Sequence, residues 1–363
     1  MNKMIPISSS NLTGNENKYL KQCIDTNWIS SLGKYVREFE KQFSKYTGRL
    51  FSLACSSGTT ALHLALEALE IGEGHEVIVP AFTFIASVNA ILYTGAKPVF
   101  VDIEEETWNM SPQAVQAAIT PKTKALLVVN IYGNPASMDA LREIARKHKL
   151  KFIEDNAEGL GGEYKGRKLG GFGDISCHSF YGNKLVTCGE GGMVSTDSEE
   201  WAKKINMLRD HGMSITRRYY HLVKGYNYRM TNLQAAVGLA QFERINEFLE
   251  ARRRIFERYS RQLINSDNLT LPFQGDRDRR PVNWLYTVRI HSKNGDEVAA
   301  ALKKKGIDSR PGFVPAYKMP YIDAIEPLPV TEKVSRESLS LPTYVDLTNH
   351  QVEYITEELL NLI

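Results

Sequence analysis

The sequence predicts an α/β fold carrying a second, smaller α+β domain, on three observations. Short apolar runs alternate with helix-like stretches over the first part of the chain, the pattern of a mostly parallel sheet covered on both faces. Near Thr231 the pattern changes to a long helical region. At 363 residues the chain also exceeds the roughly 250 residues beyond which single cores stop growing. The expected division is a large domain over 1–240, including the N-terminal segment, and a small C-terminal domain over 241–363.

Taken in order, residues 58–69 read as a helix, because Ala61, Leu62, Leu64, Ala65, Leu66 and Ala68 are strong helix formers after a Ser-Ser-Gly-Thr-Thr start. Buried strands are expected at 77–79, 98–101, 125–129, 151–153 and 175–180, each a short apolar run bounded by turn residues. Helices at 86–92, 111–119 and 138–148 lie between them. A helical region over 232–265, broken at most once, ends before the polar segment 275–280. Beyond it, 284–291 alternates like a strand, 297–305 reads as a helix ending at Gly306, and 351–363 as a closing helix.

Composition narrows the function. Hydrophobic residues are 42% and charged residues 24% of the chain, ordinary for a globular protein. A net charge of +3, spread along the sequence, argues against nucleic acid as a partner. The basic runs 252–254 and 303–305 read as solvated helix faces. Cys23, Cys55, Cys177 and Cys188 fall at irregular spacings without a C-x-x-C pair, so neither zinc nor a disulfide framework is expected. No apolar run reaches about 18 residues and the N-terminus is polar, so a cytoplasmic protein without a membrane segment is expected.

Three motifs carry chemistry. Ser179-Phe180-Tyr181-Gly182-Asn183-Lys184, followed by Gly189-Glu190-Gly191-Gly192, sets one lysine just after a predicted strand, where glycines let backbone pass close to a ligand. The run ending in Glu154-Asp155 places a carboxylate at the carboxyl end of another strand, where ligands of open α/β sheets bind. Asp155 there is either a ligand contact or the cap of a following helix. Ser57-Gly58-Thr59-Thr60 opens a helix, whose unpaired N–H groups and dipole suit phosphate.

Together with Pro80 to Ser87, Glu154-Asp155-Asn156-Ala157-Glu158 and Gly225-Tyr226-Asn227-Tyr228-Arg229-Met230-Thr231-Asn232, these blocks resemble, in order and across nearly the whole chain, the DegT/DnrJ/EryC1/StrS sugar aminotransferases. The resemblance implies fold type I of the pyridoxal-phosphate enzymes, the aspartate-aminotransferase fold. It also implies a homodimer with shared active sites. Pyridoxal 5'-phosphate is the implied cofactor, Lys184 its Schiff-base lysine and Asp155 the partner of its pyridinium nitrogen. Gly58, Thr59 and Ser179 would hold the phosphate, Phe84 would stack on the ring, and Glu158 would stand near the phenolic oxygen. Asn227 would reach the phosphate of the other subunit. For Phe84 and Asn227 the plain alternatives are a core aromatic and a turn residue.

Within the family the chain is most similar to members that aminate C4 of GDP-4-keto-6-deoxymannose for surface polysaccharide synthesis, with L-glutamate as the usual donor. Two positions depart from their pattern. Asn130 stands where a histidine is usual in the block Asn130-Ile131-Tyr132-Gly133-Asn134, and Tyr317 replaces the histidine that ends the block Arg310 to Tyr317. That second block implies a place beside the substrate, so Tyr317 is a candidate substrate contact. Another nucleotide keto sugar, or a small keto phosphate, would account for both changes. A sugar dehydratase of the same fold would carry histidine in place of Lys184, and a non-catalytic relative would have no need of Lys184, Asp155 and the phosphate loop together.

Overall fold

In the computed structural model, which describes residues 4–363, the apolar runs become strands; the first three residues of the expected 1–240 domain lie outside the described residues. β1 (Phe51–Cys55), β2 (Glu76–Pro80), β3 (Lys97–Val101), β4 (Thr123–Val129) and β5 (Lys151–Asp155) come first. The short strands β6 (Glu163–Tyr164) and β7 (Arg167–Lys168) precede β8 (Ile175–Ser179) and β9 (Gly192–Thr196). The C-terminal part adds β10 (Leu269–Thr270), β11 (Arg279–Arg280), β12 (Tyr286–Ile290), β13 (Arg310–Pro311) and β14 (Ser338–Leu341).

The main sheet has seven strands in the order β1-β9-β8-β5-β4-β2-β3. β2, β3, β4, β5 and β8 pair in parallel, whereas β9 runs antiparallel to both of its neighbours. All strands but β9 therefore end on one edge. The strand period of two sorts their side chains: Val77, Val79, Leu127 and Ile153 join one core, and Ile78, Leu126, Val128 and Phe152 join the core on the opposite face. That two-sided burial is why these runs read as continuously apolar. β1 and β9 escaped the sequence reading because they carry serines inward. Ser52 and Ser195 satisfy each other across the strands at 2.9 Å, so the polar residues are tolerated in a buried sheet.

Lys34–Thr47, a helix the sequence reading did not include, packs Phe39 and Phe43 into the first core. The expected long helical region divides into Asn232–Phe242 and Ile245–Leu263. The second of these bridges two cores, with Ile245 and Phe248 in the first and Ile255, Phe256, Tyr259 and Leu263 in a C-terminal one around Tyr286, Val288 and Leu341. A four-stranded sheet, β10-β12-β14-β13, backs that second core. Ile5 forms a bridge to Ile307 and is buried in the C-terminal core. One expectation is corrected here: Arg252 is not on a solvated face. It is 2% exposed, and its Nη1 donates to the carbonyl of Trp284; Arg253 and Arg254 alone of that run face solvent. Among the described residues no helix is long and apolar enough to cross a membrane.

The carboxyl edge of the main sheet is locked from behind by Glu154. Its carboxyl group has no exposed surface and accepts from Asn130 Nδ2, Ser176 Oγ and the amides of Gly170, Phe172 and Gly173, at 2.6–3.2 Å. Five donors converge on one side chain. Truncation would strand them in a buried site, where each unpaired group costs free energy. Glu154→Ala is expected to lower unfolding stability by on the order of 3 kcal/mol, read from urea denaturation monitored by circular dichroism.

Candidate active site

A cavity of about 530 Å³ opens at the carboxyl edge of the sheet. Successive strand ends deliver its lining: Ser57, Gly58 and Thr59 follow β1, Phe84 and Ser87 follow β2, Ile131 and Tyr132 follow β4, Asp155 and Glu158 follow β5, and Ser179 and Lys184 follow β8. The C-terminal part closes it with Trp284, Leu285, Arg310 and Phe313.

At one end lies the helix Gly58–Ala68. A capping box takes up its first turn, because Ser57 Oγ accepts from the Thr60 amide and Thr60 Oγ1 accepts from the Ser57 amide, at 3.1 and 3.0 Å. The amides of Gly58 and Thr59 are left for a ligand in the cavity. Gly58 is required by close approach: a Cβ there would stand 2.8 Å from Ser179 Cβ. Ser179 thus shares this end of the cavity with the helix start. The arrangement fits a phosphate group, with backbone N–H, a hydroxyl and the positive end of a helix.

At the floor, Asp155 accepts from Ser87 Oγ at 2.7 Å and from the Ala157 amide at 3.1 Å. It caps no helix. Burial pushes its carboxyl above the usual range, opposed by those two hydrogen bonds and by Lys184. A carboxyl so placed calls for a cationic partner, and the protonated nitrogen of a pyridine ring is such a partner. Phe84, 57% exposed, stands on one side of this space as a flat apolar wall, and it is not a core residue. The residues present fit pyridoxal 5'-phosphate at both ends.

Lys184 Nζ lies 3.4 Å from Glu158 Oε1 and 3.8 Å from the centre of the Trp284 ring. Burial raises the Glu158 carboxyl, while Lys184 and the Tyr132 amide, which donates to Glu158 Oε2 at 2.7 Å, pull it back. To make that bond Tyr132 adopts a left-handed conformation, φ 51°, a strain of about 1–3 kcal/mol for a residue other than glycine. Its ring stacks on Phe313 at 5.4 Å.

The cavity therefore gathers Gly58, Thr59, Phe84, Asp155, Glu158, Ser179 and Lys184, and omits two candidates. Asn227 is exposed and lies outside the cavity; Tyr226 and Tyr228 stack on each other at 4.8 Å and pack with tilted rings against His63, holding the segment so that Asn227 faces outward. Tyr317 does not line this cavity. It is 5% exposed, its hydroxyl donates to Glu332 Oε1 at 2.7 Å and accepts from the Leu328 amide at 3.1 Å. Asn130 is likewise engaged elsewhere, with its side chain spent on Glu154, Asn156 and the Ala136 amide. Neither side chain lines this cavity.

Sequence reasoning missed Ser87, Tyr132, Trp284 and Phe313. Ser87 and Phe313 sit inside blocks already singled out, and Trp284 opens the predicted strand at 284–291. No spacing rule connects these positions, because they meet from four separate segments of the chain.

The model of the DegT/DnrJ/EryC1/StrS aminotransferase family matches residues 10–360. The chain is 45% identical over 356 residues to the GDP-perosamine synthase of Caulobacter vibrioides, covering 97% of this chain and 96% of that protein. It is 42% identical over 359 residues to the protein of the same name in Escherichia coli O157:H7, covering 98% of each. Among solved structures, Spr1654 from Streptococcus pneumoniae in its PLP form matches with a TM-score of 0.94 at 28% identity, covering 99% of this chain and 98% of that one.

A pH-dependent stability follows from Asp155. Its carboxyl binds a proton more tightly in the fold than in the unfolded chain, so stability is fully present below the unfolded value near 4 and is lost as pH rises through the folded value. In cofactor-free protein Asp155→Asn is expected to be more stable than the parent at pH 7, with the gain vanishing toward about pH 4. Urea denaturation at the two pH values reads it.

Proposed function

The chain belongs to the DegT/DnrJ/EryC1/StrS aminotransferase family, a family of pyridoxal-phosphate-dependent sugar aminotransferases, and from that membership we propose that it transfers an amino group from L-glutamate to C4 of GDP-4-keto-6-deoxymannose, giving GDP-perosamine. The observation that carries the reading is the convergence of Lys184, Asp155 and the Ser57 to Thr59 helix start in one cavity. The choice of sugar rests on the 45% identity to a GDP-perosamine synthase over nearly the whole chain. The four buried, unpaired thiols suit the cytoplasm.

When bound, pyridoxal phosphate supplies an electron sink for the carbanion that a donor amino acid forms on losing its Cα proton. The amides of Gly58 and Thr59 and the Ser179 hydroxyl would hold its phosphate, and Phe84 would cover one face of its ring. Asp155 would keep the ring nitrogen protonated, its own charge being sheltered from water and fixed by Ser87. Lys184 would tether the cofactor through Nζ. Freed from that tether, Nζ would serve as general base toward the donor's Cα–H and as general acid toward C4 of the sugar. Glu158 holds Nζ on the cavity side while it does so.

The second subunit enters through Asn227. Its outward position, beside a segment that exposes Ile215, Tyr219, Tyr220 and Leu222, supports a homodimer in which Asn227 completes the partner's phosphate site. Exposed apolar side chains gathered on one segment are what an interface covers.

Two experiments test this reading. Purified enzyme is expected to show the visible absorption band of its bound cofactor, and Lys184→Ala to lose both the band and about 10²–10⁴-fold in turnover. The aminated form, offered a panel of keto sugars and keto phosphates, should be discharged by GDP-4-keto-6-deoxymannose; failure there with success on another sugar removes the proposed substrate. For the dimer, Lys184→Ala and Asn227→Ala chains expressed together should recover turnover that neither shows alone, because one site of each mixed dimer is whole. No recovery would count against a shared site.

A further inference from the structure

We propose that Trp284 is the positioning residue of the Lys184 amine, an inference that rests on reading Lys184 as the lysine that moves the proton. The indole, 3% exposed, presents its face to Nζ at 3.8 Å. Its Nε1–H donates to the carbonyl of Asn183 at 2.9 Å, so the same ring grips the peptide unit from which Lys184 springs. The carbonyl of Trp284 accepts from buried Arg252, and Tyr132 stacks on the indole at 6.2 Å with 23° between planes. Trp284 is thus held by its own backbone, by a neighbouring ring and through its indole N–H, and offers one free face to the amine.

The chemistry explains why an aromatic residue stands there. After taking a proton, Nζ is a cation on a largely buried side chain, and two groups meet it: Glu158 Oε1 at 3.4 Å and the electron-rich indole face. The ring attracts the ammonium but has no lone pair that can take its proton. A second carboxylate would compete for the proton that must later be delivered. Trp284 therefore stabilises the charged amine where it is needed and leaves its proton transferable.

Trp284→Leu removes both the ring face and the N–H donor, and Trp284→Phe removes only the donor. In cofactor-free protein, reductive methylation with formaldehyde, followed by mass spectrometry, reads how firmly the amine is held. Relative to exposed Lys203, Lys184 of Trp284→Leu should react ~10-fold faster, and the glutamate half-reaction should slow about 10- to 100-fold with KM for glutamate little changed. Trp284→Phe should recover most of both. A purely structural role would instead raise labelling of Lys168 as well and leave Trp284→Phe as impaired as Trp284→Leu. Parent-like labelling and rate in Trp284→Leu overturn the proposal.

A second measurement needs no Trp284 variant. With 5-fluorotryptophan in place of the 4 tryptophans, one ¹⁹F signal should move in Lys184→Ala while those of Trp28, Trp108 and Trp201 hold; four unmoved signals overturn the proposal. Lys184→Ala also separates the two readings. If it turns over normally, the role of Lys184 fails; if it is inactive while Trp284→Leu behaves as the parent, only the role of Trp284 fails.

Discussion

Glu154 and Asp155 are neighbours at the end of β5, and the two-residue period of a strand sends their side chains to opposite faces of the sheet. One carboxyl turns back and gathers five donors from Asn130, Ser176 and the 170–173 loop. The other turns into the cavity and is held by Ser87 and the Ala157 amide. Scaffold and site therefore share one register. A slip of one residue would put the scaffold carboxyl into the cavity and bury the ligand-facing one among amides.

The same economy appears around Lys184. The lysine arrives from the end of β8, but what meets its amine comes from elsewhere: Glu158 after β5 and Trp284 just before β12, both held by Tyr132 after β4. Tyr132 accepts a left-handed backbone so that its amide can reach Glu158 Oε2, and its ring is sandwiched among Trp284 and Phe313. Strain in one residue is offset by packing against the C-terminal part. The cavity is consequently built by both parts of the chain, with the phosphate end on the main sheet and the aromatic wall from beyond residue 280.

Much of the first part was legible in sequence because two-sided burial forces continuously apolar strands, and the helices between them carry ordinary amphipathic signals. β1 and β9 were not, since cross-strand serine pairs hide polar residues inside a sheet. Arg252 misled for a related reason: an arginine in a basic run reads as solvated, yet this one is buried with its guanidinium on the Trp284 carbonyl. Tyr317 and Asn130 differ from the family pattern where substrate contact was expected, but their polar atoms are consumed by Glu332 and Glu154.

By itself, the sequence determined the α/β class, the order of the strands along the chain and the ligand-facing candidates at strand ends, because those depend on local period and on residue types a few positions apart. Tertiary structure alone decided which side chains face the cavity, that Asn227 faces outward, and that Trp284 and Glu158 meet the lysine amine with Tyr132 behind them. Those relations join residues on separate loops, and only the folding of the sheet edge against the C-terminal part brings them within hydrogen-bonding or stacking distance.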